Sequence, residues 1–290
     1  RGLRDVYKRQ LSMRGMGQVV TVTIGLIVLL VAFALINPNF WSPTNRTNLL
    51  RQIAPILIIG IAQSYVLITG NIDLSIGSVV GMSTMVAATL MSKGIMSPIP
   101  ALLVTLLCCL LIGVLNGLLV AKFKLPPFIA TLGTMTVARG IAQLVNGNYN
   151  TDSIMKFYPE AAQTFKNVFY YGKTLGLYNG IWIAIILWIV FNFLLSKTRT
   201  GRYIYATGSN IDAARLSGVN VVSTTVIAYV VSAFCSFVVG IITCATVGQG
   251  TMDAGNSYEM YAVAASVIGG VSTLGGQGIL LGTVAVSYTH

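Results

Sequence analysis

The sequence predicts an all-α polytopic membrane protein, in which nine apolar runs are candidate transmembrane helices and the ninth is cut off at the C-terminal end. Of the 290 residues, 55% are hydrophobic and only 9% are charged, whereas a soluble domain carries about 25% charged residues. The mean hydropathy is +0.79. In lipid only helices and closed barrels satisfy the backbone, and the apolar runs are too continuous for the alternating strands of a barrel.

Nine apolar runs follow one another along the chain. They cover residues 19–36, 53–69, 78–91, 99–121, 128–145, 181–195, 223–247 and 259–271, and the ninth begins after 278. Between the fifth and sixth runs, residues 146–180 are polar and aromatic, which predicts an extramembrane loop with one amphipathic helix. Close helix packing is predicted by three GxxxG pairs, Gly77/Gly81, Gly113/Gly117 and Gly278/Gly282.

We interpret residues 11–286 as a single transmembrane domain. Residues 1–10 are basic and hydrophilic, and residues 287–290 interrupt a glycine-rich apolar segment after only a few positions. Both are expected to be non-native flanks, with the gene cut short at its 3′ end.

The net charge of +11 does not indicate nucleic-acid binding. The cations lie in loops and at the ends of the runs, as expected for membrane anchoring, and they divide almost equally between the two sides of the membrane. Charge alone therefore leaves the orientation open. The four cysteines lie inside apolar runs without a metal-like spacing, so we interpret them as buried apolar residues and expect no metal site.

The polar segment 196–222 must leave the lipid, because an unpaired charge at the bilayer centre costs at least ~3 kcal/mol. It contains the signals of a helix of about two turns. Ser209 or Asn210 can cap the start, Asp212 lies where the helix dipole favours an anion, and Gly218 can end the helix. A short helix with small residues on its surface suits docking into a partner's groove, and an ordinary inter-span loop is the alternative.

Asp73 lies in the junction between the second and third runs. In one interpretation, Asp73 or Ser75 caps the helix that follows. In the other, the junction is a broken helix that faces a polar pathway, where Asn71, Asp73 and Ser75 offer hydrogen bonds to a polyhydroxylated solute. Interrupted helices at membrane depth are tolerated where they line a cavity, so both interpretations stay open.

Two further charged residues are candidates for the pathway. Arg139 interrupts the fifth run, and it either snorkels to the nearer interface or faces the bundle interior beside Thr131 and Thr134. Glu259 opens the eighth run, either as an anion at a helix start or as a solute ligand.

Catalytic motifs are missing from the sequence. Its one histidine is His290, and it contains no HExxH, GxSxG or GxxxxGK[ST] pattern. We therefore expect neither an enzyme nor a chain that cradles nucleotide phosphates. If ATP drives this protein, another subunit holds the ATP.

Four segments resemble the permease subunits of ribose-type sugar ABC transporters. In chain order they are GNIDLSIGSVVGM, LPPFIATLGTMTVARG, TGRYIYATGSNIDAARLSGVNV and YEMYAVAASVIGGVSTLGGQG. They resemble the family's GxIDLSxGS signature, its P-F-x-x-T-L-G-T segment, its cytoplasmic coupling loop and its Y-E-L-x-A-I-A-A-x-V-I-G-G segment. Asn71 stands where the family often has Gly, and Tyr261 stands where it often has Asp.

The resemblance implies a bundle of about eight to ten transmembrane helices, the last of which are missing here. It also implies a homodimer in the bacterial plasma membrane, with two ATPase subunits beneath it and a periplasmic or lipid-anchored sugar-binding protein above. It places the N-terminus and the coupling loop 196–222 in the cytoplasm. Its coupling helix comprises Asn210, Asp212, Ala213, Ala214, Arg215, Ser217 and Gly218. The chain itself would bind no cofactor, because ATP and magnesium would belong to the partner ATPase.

We therefore expect a non-catalytic permease subunit of an ATP-driven monosaccharide importer, which forms the translocation pathway and couples it to the ATPases. The candidate pathway residues are Asn71, Asp73, Ser75, Thr131, Thr134, Arg139 and Glu259. The alternatives are a branched-chain amino acid ABC permease and an ion-coupled secondary transporter in which Asp73 titrates.

Overall fold

The computed structural model describes residues 23–37 and 39–287. The predicted flank 1–10 lies outside the described residues, as do the first positions of the first apolar run and residues 288–290. Ser287 is the last residue of a helix.

The described chain is predominantly helical. Its α-helices are α1 (Thr23–Ile36), α2 (Pro43–Ile68), α3 (Ile76–Ser92), α4 (Pro98–Ala121), α5 (Pro127–Leu144), α6 (Pro159–Lys166), α7 (Asn179–Lys197), α8 (Arg199–Ser209), α9 (Ile211–Leu216), α10 (Val221–Val247), α11 (Tyr258–Ile268) and α12 (Leu280–Ser287). A π-helical turn (Asn167–Tyr171) and two short strands, β1 (Lys173–Thr174) and β2 (Leu177–Tyr178), lie between α6 and α7.

Proline sets several of the helix starts. Pro43, Pro98 and Pro127 occupy first turns, where the fixed φ of proline suits a helix and its missing N–H has no intrahelical acceptor to lose. Ser42 adds a cap to α2, because its Oγ accepts a hydrogen bond from the backbone N–H of Asn45 at 3.3 Å.

Within the described residues, each of the nine predicted apolar runs corresponds to a helix, and four helices are long and apolar enough to cross a membrane, α2, α4, α7 and α10. The all-α polytopic membrane fold is therefore confirmed. The second run was predicted to start near residue 53, whereas α2 starts at Pro43. Arg46 and Arg51 interrupt the apolar run there without interrupting the helix.

The polar segment 196–222 contains two helices, of which only α9 was predicted. The other, α8, begins after Thr198, whose Oγ1 accepts a hydrogen bond from the N–H of Gly201 at 3.3 Å. It turns Ile204 and Thr207 inward and its charged residues outward. A capping threonine followed by apolar residues at helical spacing is the signal that could have predicted α8.

The loop 146–180 carries the predicted helix α6, which continues into the π-helical turn and then into a hairpin. Leu175 and Gly176 join β1 to β2 with φ angles of +53° and +80°, as a two-residue type I′ turn requires. The hairpin pairs Lys173 with Tyr178 and leads directly into α7.

The core is built around α3, whose residues are almost all buried among α2, α4, α5 and α10. Glycines bring the helix backbones together. Gly113 and Gly117 of α4 lie against Tyr229 and Val226 of α10, and Gly240 of α10 lies equally close to α3. The close packing predicted for the pair in α4 is confirmed.

We expect Gly117→Ala to lower the melting temperature of the detergent-solubilised protein. A Cβ at this position would lie 2.5 Å from the backbone of Val226, so α4 and α10 would have to move apart, which costs about 1–3 kcal/mol. Gly133→Ala is the matched control, because Gly133 lies in α5 with open space around it and alanine favours a helix over glycine by about 0.5–1 kcal/mol. Equal melting temperatures for both variants would show that the α4–α10 contact does not limit stability.

Candidate functional site

A short non-helical segment joins the end of α2 to the start of α3, and α2 stops in a turn with Gly70 at φ +80°. Other elements bind the backbone groups that the break sets free. The N–H of Gly276 donates to the C=O of Ile68 at 2.8 Å, and the hydroxyl of Tyr229 donates to the C=O of Ile72 at 3.0 Å. A break packed against other elements needs such partners, because backbone groups shielded from water must be paired within the protein.

The carboxylate of Asp73 accepts hydrogen bonds from the α3 side of this break and from α10. Its Oδ1 accepts from the N–H and the hydroxyl of Ser75 at 2.9 and 2.6 Å, and its Oδ2 accepts from the hydroxyl of Ser232 in α10 at 2.7 Å. Asp73 is only 3% exposed. The bond from the Ser75 N–H spans two residues and closes a turn just before α3. The N-cap of α3 is Ser75 and it has no side-chain cap bond, so the predicted capping of this helix by Asp73 or Ser75 is not observed.

The hydrogen bonds continue from Ser75 into two more helices. Asn116 of α4 donates to the hydroxyl oxygen of Ser75 at 2.9 Å, and Thr134 of α5 donates to Oδ1 of Asn116 at 2.6 Å. One buried cluster, here called the Asp73 network (Asp73, Ser75, Asn116, Thr134 and Ser232), therefore joins α3, α4, α5 and α10. Asn116 and Ser232 were not predicted, although an amide inside an apolar run indicates a buried hydrogen-bond partner.

Asn71 and Thr131 were predicted together with these residues but form local contacts instead. The Nδ2 of Asn71 donates to Oγ1 of Thr69 at 2.8 Å. The hydroxyl of Thr131 donates to the C=O of Pro127, one helical turn earlier, at 2.8 Å. Both residues lie outside the Asp73 network.

Arg139 and Glu259 lie beside the loop that joins α10 to α11. The Nη1 of Arg139 donates to the C=O groups of Met252 and Ala254 at 2.8 and 3.0 Å, so its guanidinium faces protein. The carboxylate of Glu259 lies against Gly77 of α3 and acts electrostatically on Arg139. These contacts tie the loop to α3 and α5.

The same loop is bonded to the loop 146–180. The N–H of Thr151 donates to the C=O of Gly250 at 3.0 Å, and the N–H of Gly250 donates to Oγ1 of Thr151 at 2.8 Å. Nearby, Lys156 donates to Asp152 at 2.7 Å, and this hydrogen bond lowers the pKa of the exposed carboxyl. The two loops therefore form one continuous surface at this end of the bundle.

The opposite end of the bundle carries α8 and α9. Asn210 caps α9, because its Oδ1 accepts from the N–H groups of Asp212 and Ala213 at 3.1 and 2.9 Å. Gly218, with φ +80°, follows the end of the helix. The predicted cap and terminator of this helix are both confirmed.

The short helix α9 is exposed on one side and anchored on the other. Ala214 is 4% exposed and packs against Val219 and Val221, so it faces its own chain and lies outside the exposed surface of the helix. The other six predicted coupling residues are exposed. Leu216 was not among them, yet it is 90% exposed, and Ile211 is 47% exposed.

The end of α8 packs directly against the break between α2 and α3, and the contact is made by backbone atoms of glycines. A Cβ on Gly208 would collide with the C=O of Ile68 and with Gly276, and a Cβ on Gly275 would collide with Gly70 and with the C=O of Gly208. We call Gly70, Gly208, Gly275 and Gly276 the glycine junction. It connects α9, through α8, to the end of α2.

Within residues 23–37 and 39–287, no three His, Cys, Asp or Glu side chains lie close enough together to hold a metal ion. What the structure does contain is a bundle of apolar helices, a hydrogen-bonded break in one of them, and an exposed capped helix that touches this break. These features define a multi-pass helical membrane protein.

A family model described as "Branched-chain amino acid transport system / permease component" matches residues 45–289. The ribose import permease protein RbsC of Haemophilus influenzae is 39% identical over 264 residues, which are 90% of this chain and 79% of the relative. RbsC of Bacillus subtilis is 34% identical over 96% of this chain and 84% of its own. The autoinducer 2 import system permease protein LsrC of Escherichia coli is 32% identical over 91% of this chain and 75% of its own. No solved structure matches the chain.

The chain therefore belongs to this permease family and, within it, to the ribose-type permease subunits of ABC importers. It is a multi-pass inner-membrane protein. An importer of this class works with an ATPase and with a solute-binding protein.

We expect Asp73→Ala to lower thermal stability strongly and Asp73→Asn to lower it little. Alanine leaves the buried donors of Ser75 and Ser232 unpaired, at about 1–3 kcal/mol for each donor, whereas the asparagine oxygen keeps Ser75 and its amide can donate to the Ser232 hydroxyl. Melting temperature and solute uptake should be measured on the same preparations. An Asn variant with wild-type stability and no uptake would contradict this structural role for the carboxylate.

Proposed function

We propose that this chain forms the transmembrane pathway of an ATP-driven importer of a monosaccharide. The observation that carries the proposal is its similarity to ribose import permeases over 90% or more of its length. The family description names branched-chain amino acids, but the relatives that match over most of the chain are named for ribose and autoinducer 2, which favours a sugar. Burial of Asp73 within its network argues against an ion-coupled transporter that titrates this carboxylate.

The end that carries α8 and α9 would face the cytoplasm, together with the N-terminus. This orientation is supported by the resemblance of residues 196–222 to the cytoplasmic coupling loop of ribose-type permeases, since the cations divide almost equally between the two ends. The joined loops at the other end would face outward, where a periplasmic or lipid-anchored binding protein delivers the sugar.

The exposed surface of α9 would dock into a groove of the ATPase. This docking face comprises Asn210, Ile211, Asp212, Ala213, Arg215, Leu216, Ser217 and Gly218. An apolar side chain that fills a partner's pocket supplies much of the binding energy, which is the role of Leu216. The ion pair of Asp212 and Arg215, at 3.8 Å, stands at the rim, where charge selects the partner. Ala214 anchors the helix from within.

The glycine junction would transmit the movement of the docked helix to the break between α2 and α3. Backbones in direct contact leave no side chain to absorb a displacement, and a close-packed interior resists compression. A push on α9 would therefore move α8 and the end of α2 together, as one rigid element that switches between two packings.

The predicted pathway residues would act on the pathway through the helices that they hold. The Asp73 network fixes α3 against α4, α5 and α10 in the present packing. Its hydroxyl and amide groups both donate and accept, so they can exchange partners when the packing switches. Arg139 and Glu259 would hold the outer loop, and Asn71 and Thr131 would stabilise the turn and the helix start on which they lie.

The permease itself would make and break no covalent bond. ATP and Mg²⁺ would be bound by the partner ATPase, and this chain would hold no cofactor. Two copies would form a homodimer in lipid, without any nucleic-acid partner.

We expect proteoliposomes that contain this permease, with the ATPase and binding protein encoded beside it, to take up labelled D-ribose only when ATP is supplied on the ATPase side. Autoinducer 2 and leucine should be compared at the same concentration. Uptake driven by an imposed ion gradient without ATP, or uptake of leucine alone, would contradict the proposal.

We expect Leu216→Glu to weaken binding of the ATPase about tenfold or more, because burial of a leucine side chain contributes about 1.5–3 kcal/mol, while the melting temperature of the permease stays unchanged. Leu175→Glu is the matched control, since Leu175 is equally exposed, at 86%, in the hairpin at the other end. Affinity can be measured by titrating the ATPase onto permease in nanodiscs. A docking site elsewhere is indicated if the two variants bind alike.

A further inference from the structure

A cavity of about 480 Å³ opens on the surface of the bundle near the end that carries the joined loops. Its walls come from the first half of α2, the π-helical turn, the end of α10 and the start of α11. The lining residues are Arg51, Gln52, Pro55, Ile56, Tyr170, Ile242, Thr243, Thr246, Val247, Tyr258 and Tyr261. This volume lies within the range of small-molecule sites, and none of the predicted pathway residues lines it.

Arg51 is held in the wall of this α2–α11 cavity without an acidic partner. Its guanidinium lies 3.5 Å from the ring centroid of Tyr178 and 5.0 Å from that of Tyr170. Among the described residues it forms no ion pair, and its buried Nε has no hydrogen-bond partner. Two aromatic rings thus orient the group. Its Nη groups form no hydrogen bond with the described residues, whereas the shielded Nε is out of reach of a ligand.

The remaining lining groups supply acceptors and an apolar surface. Thr243 and Thr246 donate their hydroxyl hydrogens to the backbone of α10 at 2.9 and 2.7 Å, so their oxygens retain lone pairs. Gln52 can both donate and accept. The rings of Tyr258 and Tyr261 lie 6.3 Å apart. Neither aspartate nor glutamate is among the lining residues.

We propose that this cavity binds a neutral polyhydroxylated solute, and that it is the subsite which receives the sugar from the binding protein. Arg51 and Gln52 would donate to hydroxyl oxygens, Thr243 would accept from them, and Tyr258 and Tyr261 would cover the C–H face of the sugar ring. The two ring faces stabilise the guanidinium without neutralising its charge, so the preference for a neutral solute follows from the sugar named in the proposed function. The inference rests on the proposed function, since it assigns a place to the solute of that importer.

The first test compares D-ribose uptake by proteoliposomes of the whole complex with Arg51→Met, Arg51→Lys and Arg46→Met. Arg46 lies in the same helix, is exposed and does not line the cavity. We expect Arg51→Met to lower uptake about tenfold or more, because a hydrogen bond to a charged group contributes about 1.5–3 kcal/mol. Stimulation of the ATPase by loaded binding protein should persist, and Arg46→Met should behave as wild type.

Wild-type uptake by Arg51→Met would overturn the subsite and leave the proposed function intact. Loss of ATPase stimulation and of melting temperature in parallel with uptake would also overturn it, because Arg51 would then be a structural anchor of the tyrosine-bearing loop. If the wild-type complex takes up no sugar, the proposed function itself fails before any variant is compared.

The second test uses Thr243→Cys in a Cys108→Ser background, because Cys108 is the half-buried cysteine of the described chain and the other three are buried. A charged thiol reagent should label this variant in nanodiscs, and free D-ribose should slow the labelling more than D-ribose 5-phosphate does. An unreactive thiol, or labelling that D-ribose does not slow, would overturn the subsite. Stronger protection by the phosphate would overturn its preference for a neutral solute.

Discussion

The bundle depends on one constraint: where one helix ends and the next begins inside the protein, the freed backbone groups need partners within the protein. Here α2 stops and α3 starts over a few residues. The partners of that break come from α10 through Tyr229, from the loop before α12 through Gly276, and from Asp73 within the segment itself. Because each partner belongs to a different element, satisfying the break also brings those elements together. The position of α3 at the centre of the fold follows from this requirement.

The two ends of the bundle are held together by different kinds of contact. At the α8–α9 end, the glycine junction leaves no side chain between the end of α2, the end of α8 and the loop before α12. Such contacts suit movement as a single body. At the other end, the surface is stabilised by hydrogen bonds. Some join the exposed loops to each other, and others run from Arg139 to two backbone carbonyls. Hydrogen bonds of this kind can exchange with water or with a partner protein. A permease that is pushed from one side and loaded from the other needs this asymmetry.

Much of the fold could be predicted from the sequence, because a helix that crosses a membrane requires a continuous run of apolar residues, which is visible in the sequence itself. The nine apolar runs, the break after residue 69 and the cap and terminator of α9 are local signals of this kind. The missed features depend on contacts through space. Asn116 and Ser232 join the Asp73 network only because α4 and α10 pack beside Asp73 in the folded protein. Ala214 faces inward because it packs against Val219 and Val221, which follow the helix. α8 was not predicted for another reason. Its charged residues made the segment look uniformly polar, although Ile204 and Thr207 lie on one face at helical spacing.

A polar side chain in an apolar run was taken as the sign of a solute pathway, and the structure refines that rule. Asp73, Ser75 and Thr134 lie deep among the helices, but each is occupied by another protein group, so their polarity serves the packing. Arg51 was not singled out from the sequence, yet its guanidinium lies against two tyrosine rings and forms no ion pair among the described residues. Because a polar group already bonded within the protein gains little from a ligand, polar groups that line a cavity and lack a protein partner indicate where a ligand can bind better than the depth of a charge does. On this criterion the α2–α11 cavity, and not the Asp73 network, is the place to search for the transported solute.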